Sequence, residues 1–170
     1  MASDNELIMW VHATLVDTSL LVYETYVGPL TPGERARYYD EQKRLGEQFG
    51  VPIDEQPVTL ADFNCYFDEV VHGGTLRVTE ELRDVTAATL RPKLPVPFVG
   101  RPALGYFNLV TTALLPGWLR EELGLSWGPN RERLHAVQRA VIRRLMPALP
   151  GLLREFPPAR SADRRLRAAA

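Results

Sequence analysis

The opening helix constrains this chain more than any other feature. Residues Asn5 to Val27 (NELIMWVHATLVDTSLLVYETYV) are apolar on nearly every face, and a helix with that pattern needs neighbours all round. Asp4 or Asn5 is placed to cap its start, and Gly28-Pro29 stops it. His12, Asp17 and Glu24 interrupt the run too often for a bilayer span. The pattern predicts a buried core helix wrapped by others.

Helical signals continue downstream. Thr31-Pro32-Gly33-Glu34 reads as a capping box with proline at the first helical position, and the helix should reach Phe49 and stop at Gly50. Its docked side is expected to be Tyr38/Tyr39, Leu45 and Phe49. Thr59, with Asp62 three residues on, opens a third helix whose stripe is Leu60, Phe63, Phe67 and Val70/Val71, ended by Gly73-Gly74. Thr79 begins a fourth, Glu80 to Leu90, closed at Arg91-Pro92. Residues Pro102 to Leu119 carry no charge across eighteen positions. Their proline, glycine and asparagine favour a buried helix, Ala103 to Leu115, and a turn from Pro116 over a transmembrane span. The last strong helix, Asn130 to Met146, has Leu134, Val137, Val141 and Leu145 as its expected core stripe. Pro147 and Pro150 break it before a short amphipathic piece, Leu152 to Phe156. No strand and no internal repeat are evident. The fold class is all-α, an irregular multi-helix domain over residues 1–157 with a flexible Arg/Ala-rich tail at 158–170.

Composition sets the outer limits. At 170 residues and 45% hydrophobic, the chain supports one domain of ordinary size. A single cysteine, Cys65, excludes an internal disulfide framework and a cysteine-based zinc cluster. Among Phe63, Tyr66 and Phe67 it reads as a buried, inert thiol. Met1 to Glu6 is polar and acidic with no signal core, so a cytoplasmic location is expected. The formal net charge of -1 conceals an asymmetry, with residues 1–130 balancing to -8 and residues 131–170 to +7. The basic end suits an anionic partner or a fold back onto the acidic body. Nucleic acid is disfavoured, because the arginines lack interleaved aromatics, while peripheral membrane contact stays open.

Chemistry-bearing residues are few. Glu69–His72 and Glu132–His135 have the Glu-x-x-His spacing of a di-iron bundle, with Asp17 or Glu24 and Glu80 or Glu81 as further carboxylates. Helical angles place Glu69 opposite its apolar stripe and Glu132 on a polar side, so two solvated faces are the better reading. His12 shares a stripe with Ile8, Ser19, Tyr23 and Tyr26, whereas Thr14, Asp17 and Thr18 lie on the other side. A neutral imidazole there can ligate iron or act as a base, with Tyr23 bonding a nearby ligand. The competing reading is a core histidine satisfied by a neighbour. Asp17 divides likewise between a catalytic group and a buried structural carboxylate. Dinucleotide, P-loop, nucleophile-elbow and zincin signatures are absent.

One family combines these features. Trp10-Val11-His12-Ala13-Thr14-Leu15-Val16-Asp17, Glu34-Arg35-x-x-Tyr38-Tyr39, Gly50-Val51-Pro52, Asp62-Phe63, Tyr66-Phe67-Asp68-Glu69 and Leu114-Leu115-Pro116 together resemble the bacterial branch of the mpaB-like and latex-clearing rubber oxygenases. The resemblance implies an all-α domain that binds haem b and uses dioxygen on a small apolar substrate. It also implies that the axial histidine belongs to helices ahead of the Trp-x-His segment. On that expectation the chain is a C-terminal half-domain, from a shortened product or a misassigned start, that completes itself with an N-terminal half or another copy. His12 and Asp17 are the candidate catalytic residues, and His12, Ser19 and Tyr23 the candidates to line a cofactor. The alternative is a catalytically silent helical interaction module, and a weaker one is an anionic-surface binder using residues 131–170. A half-domain should leave much of the Asn5–Val27 helix exposed.

Overall fold

Capping side chains mark three of the helix starts, at Thr31, Thr59 and Thr79. The computed structural model describes residues 4–74, 76–90 and 100–148. Over them run α1 (Asp4–Tyr26), α2 (Pro32–Gln48), α3 (Leu60–His72), α4 (Glu80–Leu90), α5 (Gly100–Leu114), α6 (Gly117–Glu122) and α7 (Pro129–Leu145), then a 3-10 turn, Met146–Ala148. The described residues contain no strand, and the all-α reading stands. The Arg91-Pro92 step, the Leu152–Phe156 piece and the 158–170 tail lie outside the described residues.

The expected capping box at Thr31 forms, and the start at Thr59 is a second one. Thr31 Oγ1 accepts from the Glu34 amide at 3.3 Å, and Glu34 accepts from the Thr31 amide at 2.8 Å. Thr59 and Asp62 repeat the exchange at 3.2 and 3.0 Å. These reciprocal bonds satisfy amides that helix starts leave without partners.

The core sits where α1, α2 and α3 meet. Ala13 and Val16 of α1, Tyr39 of α2 and Phe63 of α3 are buried together, with Trp10, Leu20, Leu60 and Phe67 packed against them. Tyr39 and Phe63 rings lie 5.0 Å apart, Phe63 and Phe67 6.0 Å, and Phe67 stacks on Trp10 at 5.4 Å. The buried Tyr39 hydroxyl donates to the Pro57 carbonyl at 2.7 Å, so its polar end is satisfied.

Polar bonds tie α2 and α7 to the C-terminal end of α1. Glu24 takes a two-pronged contact from Arg35, Nε to Oε1 at 2.8 Å and Nη2 to Oε2 at 2.6 Å, which locks the α1–α2 turn. Arg143 of α7 donates to the carbonyls of Thr25 (2.9 Å) and Glu24. The last turn of α1 has no basic residue of its own, and Arg143 supplies one to the negative end of that helix. The Tyr26 hydroxyl and His135 Nε2 bond at 3.1 Å on the same seam.

Several burial expectations need correction. The helix at the front is not wrapped: Leu7, Val11, Leu15, Leu21, Val22, Tyr23 and Val27 are exposed, because α2, α5 and α7 cover only part of it. In α2 the buried residues are Tyr39 and Gly46, whereas Leu45 and Phe49 are exposed. The α5 helix is only partly covered, with Leu109 and Thr112 inside and Tyr106 and Phe107 outside. Cys65 is exposed. Most consequentially, Leu134, Val137, Val141 and Leu145 of α7 point outward. The bonds from His135 and Arg143 set the rotation of α7, and they turn the apolar stripe away from the body.

Either cap deletion, Thr31→Ala or Thr59→Ala, is expected to cost about 1 kcal/mol. Urea unfolding should show a lower midpoint with an unchanged slope.

Candidate functional site

Two of the grooves along α1 hold its candidate site residues. Leu7, Ile8, Val11, His12 and Leu15, with Phe49 from the end of α2, line an open apolar groove of about 270 Å³. His12 is 4% exposed, and neither ring nitrogen has a hydrogen-bond partner. A β-carbon built on Gly46 would sit 2.8 Å from His12 Nε2 and 3.0 Å from the Gln56 amide. Glycine at 46 therefore makes the space into which the imidazole edge fits. Burial holds the His12 pKa below its ordinary value, and the Gln42 backbone partly offsets that shift. Burial favours the neutral ring.

The second groove, about 340 Å³, lies between α1, α3, the segment 76–78, α4 and α6. Trp10, Phe67, Leu82, Leu114, Trp118 and Leu119 form its apolar walls, and Thr14, Asp17, Thr18 and Arg77 bring polar groups to it. Trp118 Nε1 is buried with no partner. Burial and then the neighbouring Asp68 carboxylate raise the Asp17 pKa above its usual 3.8. No hydrogen bond or ion pair reaches Asp17 from the described residues. A half-buried carboxyl and an unmatched indole N–H in an apolar cleft can orient the polar end of an apolar molecule. Asp17 is also the group there best placed to accept or hold a proton.

The other expected site residues scatter. Ser19 and Tyr23 are exposed further along the stripe they share with His12, whose ring turns toward α2. Glu69 and His72 are exposed at the end of α3, where His72 Nδ1 is 3.8 Å from Asp68. Glu132 accepts from Trp127 Nε1 at 2.7 Å, and Glu24 is committed to Arg35. Among the described residues no three His, Cys, Asp or Glu side chains gather around a metal-sized space. Sequence reasoning missed Trp118 and the α3–α6 walls. Their only signal was the charge-free run from Pro102 to Leu119, which gives no pairing.

An all-helical domain, built around a Trp-x-His helix with apolar grooves on both sides, is the class of protein this geometry defines. Residues 1–147 match the family described as ER-bound oxygenase mpaB/B'/rubber oxygenase, catalytic domain, and the chain belongs to that family. It is 31% identical over 152 residues to protein Mb2261 of Mycobacterium bovis and to protein Rv2237 of Mycobacterium tuberculosis, both described as uncharacterized. The match covers 86% of this chain and 58% of each relative, so the chain spans little more than half their length. No solved structure matches it.

Haem b is what the sequence resemblance implies, which makes iron ligation the test for the three histidines. His12 Nε2 faces Gly46 on α2, and a porphyrin on that nitrogen would force α1 and α2 apart. His135 Nε2 is held by Tyr26, and His72 is an exposed helix-end residue. These residues do not fit an axial ligand in this arrangement. The exposed side of α1 offers apolar wall instead.

Two substitutions probe the grooves. Gly46→Ala gains about 1 kcal/mol of helix propensity but overpacks His12 and Gln56 by about 1–3 kcal/mol. A net loss of stability is expected, smaller in a His12→Ala background, as a double-mutant cycle would measure. For Asp17 the folded pKa lies above the unfolded one, so the folded state is penalised once pH rises through the ordinary carboxyl value of 3.8. Asp17→Asn should therefore raise the melting temperature at pH 7, and the gain should fade as pH falls toward that value.

Proposed function

We propose that this chain forms part of the wall of a haem b-dependent oxygenase site acting on a small apolar substrate, with the axial ligand carried on polypeptide outside these residues. The observation that carries the reading is the exposed row Leu7, Val11, Leu15 and Val22 on α1. At about 100° per residue these four fall within one quadrant of the helix. Ser19 borders the row and Tyr23 lies further round. Met9, His12, Ala13 and Val16 occupy the buried side. Bound haem b would supply the iron that activates dioxygen. The contribution of this chain is to exclude water and to give an apolar substrate a surface to lie on. Membership of an oxygenase catalytic-domain family supports the reaction class. The mycobacterial relatives carry further polypeptide beyond the matched region.

A haemin titration of the 170-residue chain tests this. Alone, the chain is expected to give only a weak Soret change that His12→Ala leaves unaltered. Adding the polypeptide equivalent to the unmatched part of the mycobacterial relatives should produce a sharp Soret band. Val11→Asp with Leu15→Asp should abolish it. A strong band from the chain alone, lost in His12→Ala, would make His12 the ligand and overturn the wall reading. No haem uptake even with the added polypeptide would instead support a catalytically silent helical module.

A further inference from the structure

The outward stripe of α7 has no use in the reading above. Leu134 is 58% exposed, Val137 60%, Val141 48% and Leu145 56%. With about 100° between successive residues, all four fall within a sector of roughly 80°. Arg133 and Arg144 border that sector on its Val137 side. Neither has a hydrogen-bond or ion-pair partner among the described residues. Arg143 and Arg131, by contrast, are spent on the backbone carbonyls of α1 and of Ser126. The helix carries five arginines against one glutamate, and that glutamate is occupied by Trp127.

Charge decides what can cover this face. α7 itself balances to +4, with five arginines against one glutamate, and residues 1–130 balance to -8. An anionic surface therefore attracts the α7 end and repels the body, which orients the molecule before contact. A second copy docked through α7 would bring two such arginine-rich helices together, and like charges oppose that. Nucleic acid would use the arginines and leave four aliphatic side chains in water. A bilayer with anionic headgroups satisfies both, aliphatic residues entering the acyl boundary and arginines meeting phosphates. No described helix is long and apolar enough to cross a membrane, so the contact lies in the surface plane.

We propose that α7 is a membrane-surface helix, docking the protein on anionic lipid through Leu134, Val137, Val141 and Leu145 with Arg133 and Arg144 at the headgroups. The inference is independent of haem and of any oxidative activity. The full chain would be sedimented with vesicles of phosphatidylcholine containing about one quarter phosphatidylserine. Binding is expected to weaken with added salt and to be much poorer on phosphatidylcholine alone. Arg133→Gln with Arg144→Gln should weaken it about tenfold or more. Val137→Glu with Val141→Glu should abolish it with an unchanged helical circular-dichroism spectrum. As a second readout that needs no disruptive change, a polarity-sensitive dye on Val137→Cys, in a Cys65→Ser background, should shift blue on vesicles. The same dye on the native Cys65 should not. Absence of binding, equal binding to neutral vesicles, or a dye at 137 that stays in water would overturn the proposal. So would a stable dimer split by the Val137/Val141 substitutions, which would make the face a contact between copies.

Discussion

The aromatic ladder Tyr39–Phe63–Phe67–Trp10 is the interaction on which the rest of this structure depends. It joins α2, α3 and α1 through rings of large area, and each contact fixes the rotation of a helix as well as its position. Ala13 and Val16 can approach α2 and α3 closely only because the ladder holds α1 at that angle. Once α1 is so rotated, the fate of its other faces follows. His12 falls against Gly46, Asp17 falls into the cleft beside Trp118, and the Leu7–Val22 row faces outward.

Polar anchoring does the corresponding work at the other end. Arg143 on the α1 carbonyls and His135 on Tyr26 orient α7 by bonds rather than by apolar burial. A helix seated in this way can leave its most apolar stripe outside. The usual inference, that the apolar stripe is the buried one, rests on hydrophobic area dominating the choice. It fails here because that stripe finds no covering partner within the described residues, while the polar side finds directed ones. The same shortage explains the half-covered α1 and α5.

How much could be read beforehand varied with the range of the interaction. Helix starts were legible because capping boxes are local: Thr31 with Glu34, and Thr59 with Asp62, lie three residues apart. The stripe of α3 was legible because one face carries Leu60, Phe63 and Phe67 with little competition. The environment of Cys65 was misread because aromatic neighbours in sequence point to a different side of the helix. Of the site candidates, His12 and Asp17 could be chosen from sequence as polar groups on an apolar helix. Their placement on different sides of the helix could be read as well, but which helices build a groove on each side could not, since that depends on what flanks α1. Ser19 and Tyr23 share a helical stripe with His12 in projection, yet α2 covers one part of that stripe and leaves the rest open.

By itself the sequence determined the helical class, the capped starts, the kinship with an oxygenase catalytic-domain family and the polarity of charge between body and C-terminal end. These are properties of neighbours along the chain, of composition, or of short motifs, and they survive whatever the packing turns out to be. Only the tertiary structure decided that glycine at 46 opens the space for His12 and that Trp118 closes the cleft beside Asp17. It alone decided that α7 turns Leu134, Val137, Val141 and Leu145 to the outside. The reason is physical. Each outcome depends on contacts between residues far apart in sequence, and these contacts select among helix rotations that local propensity leaves equal.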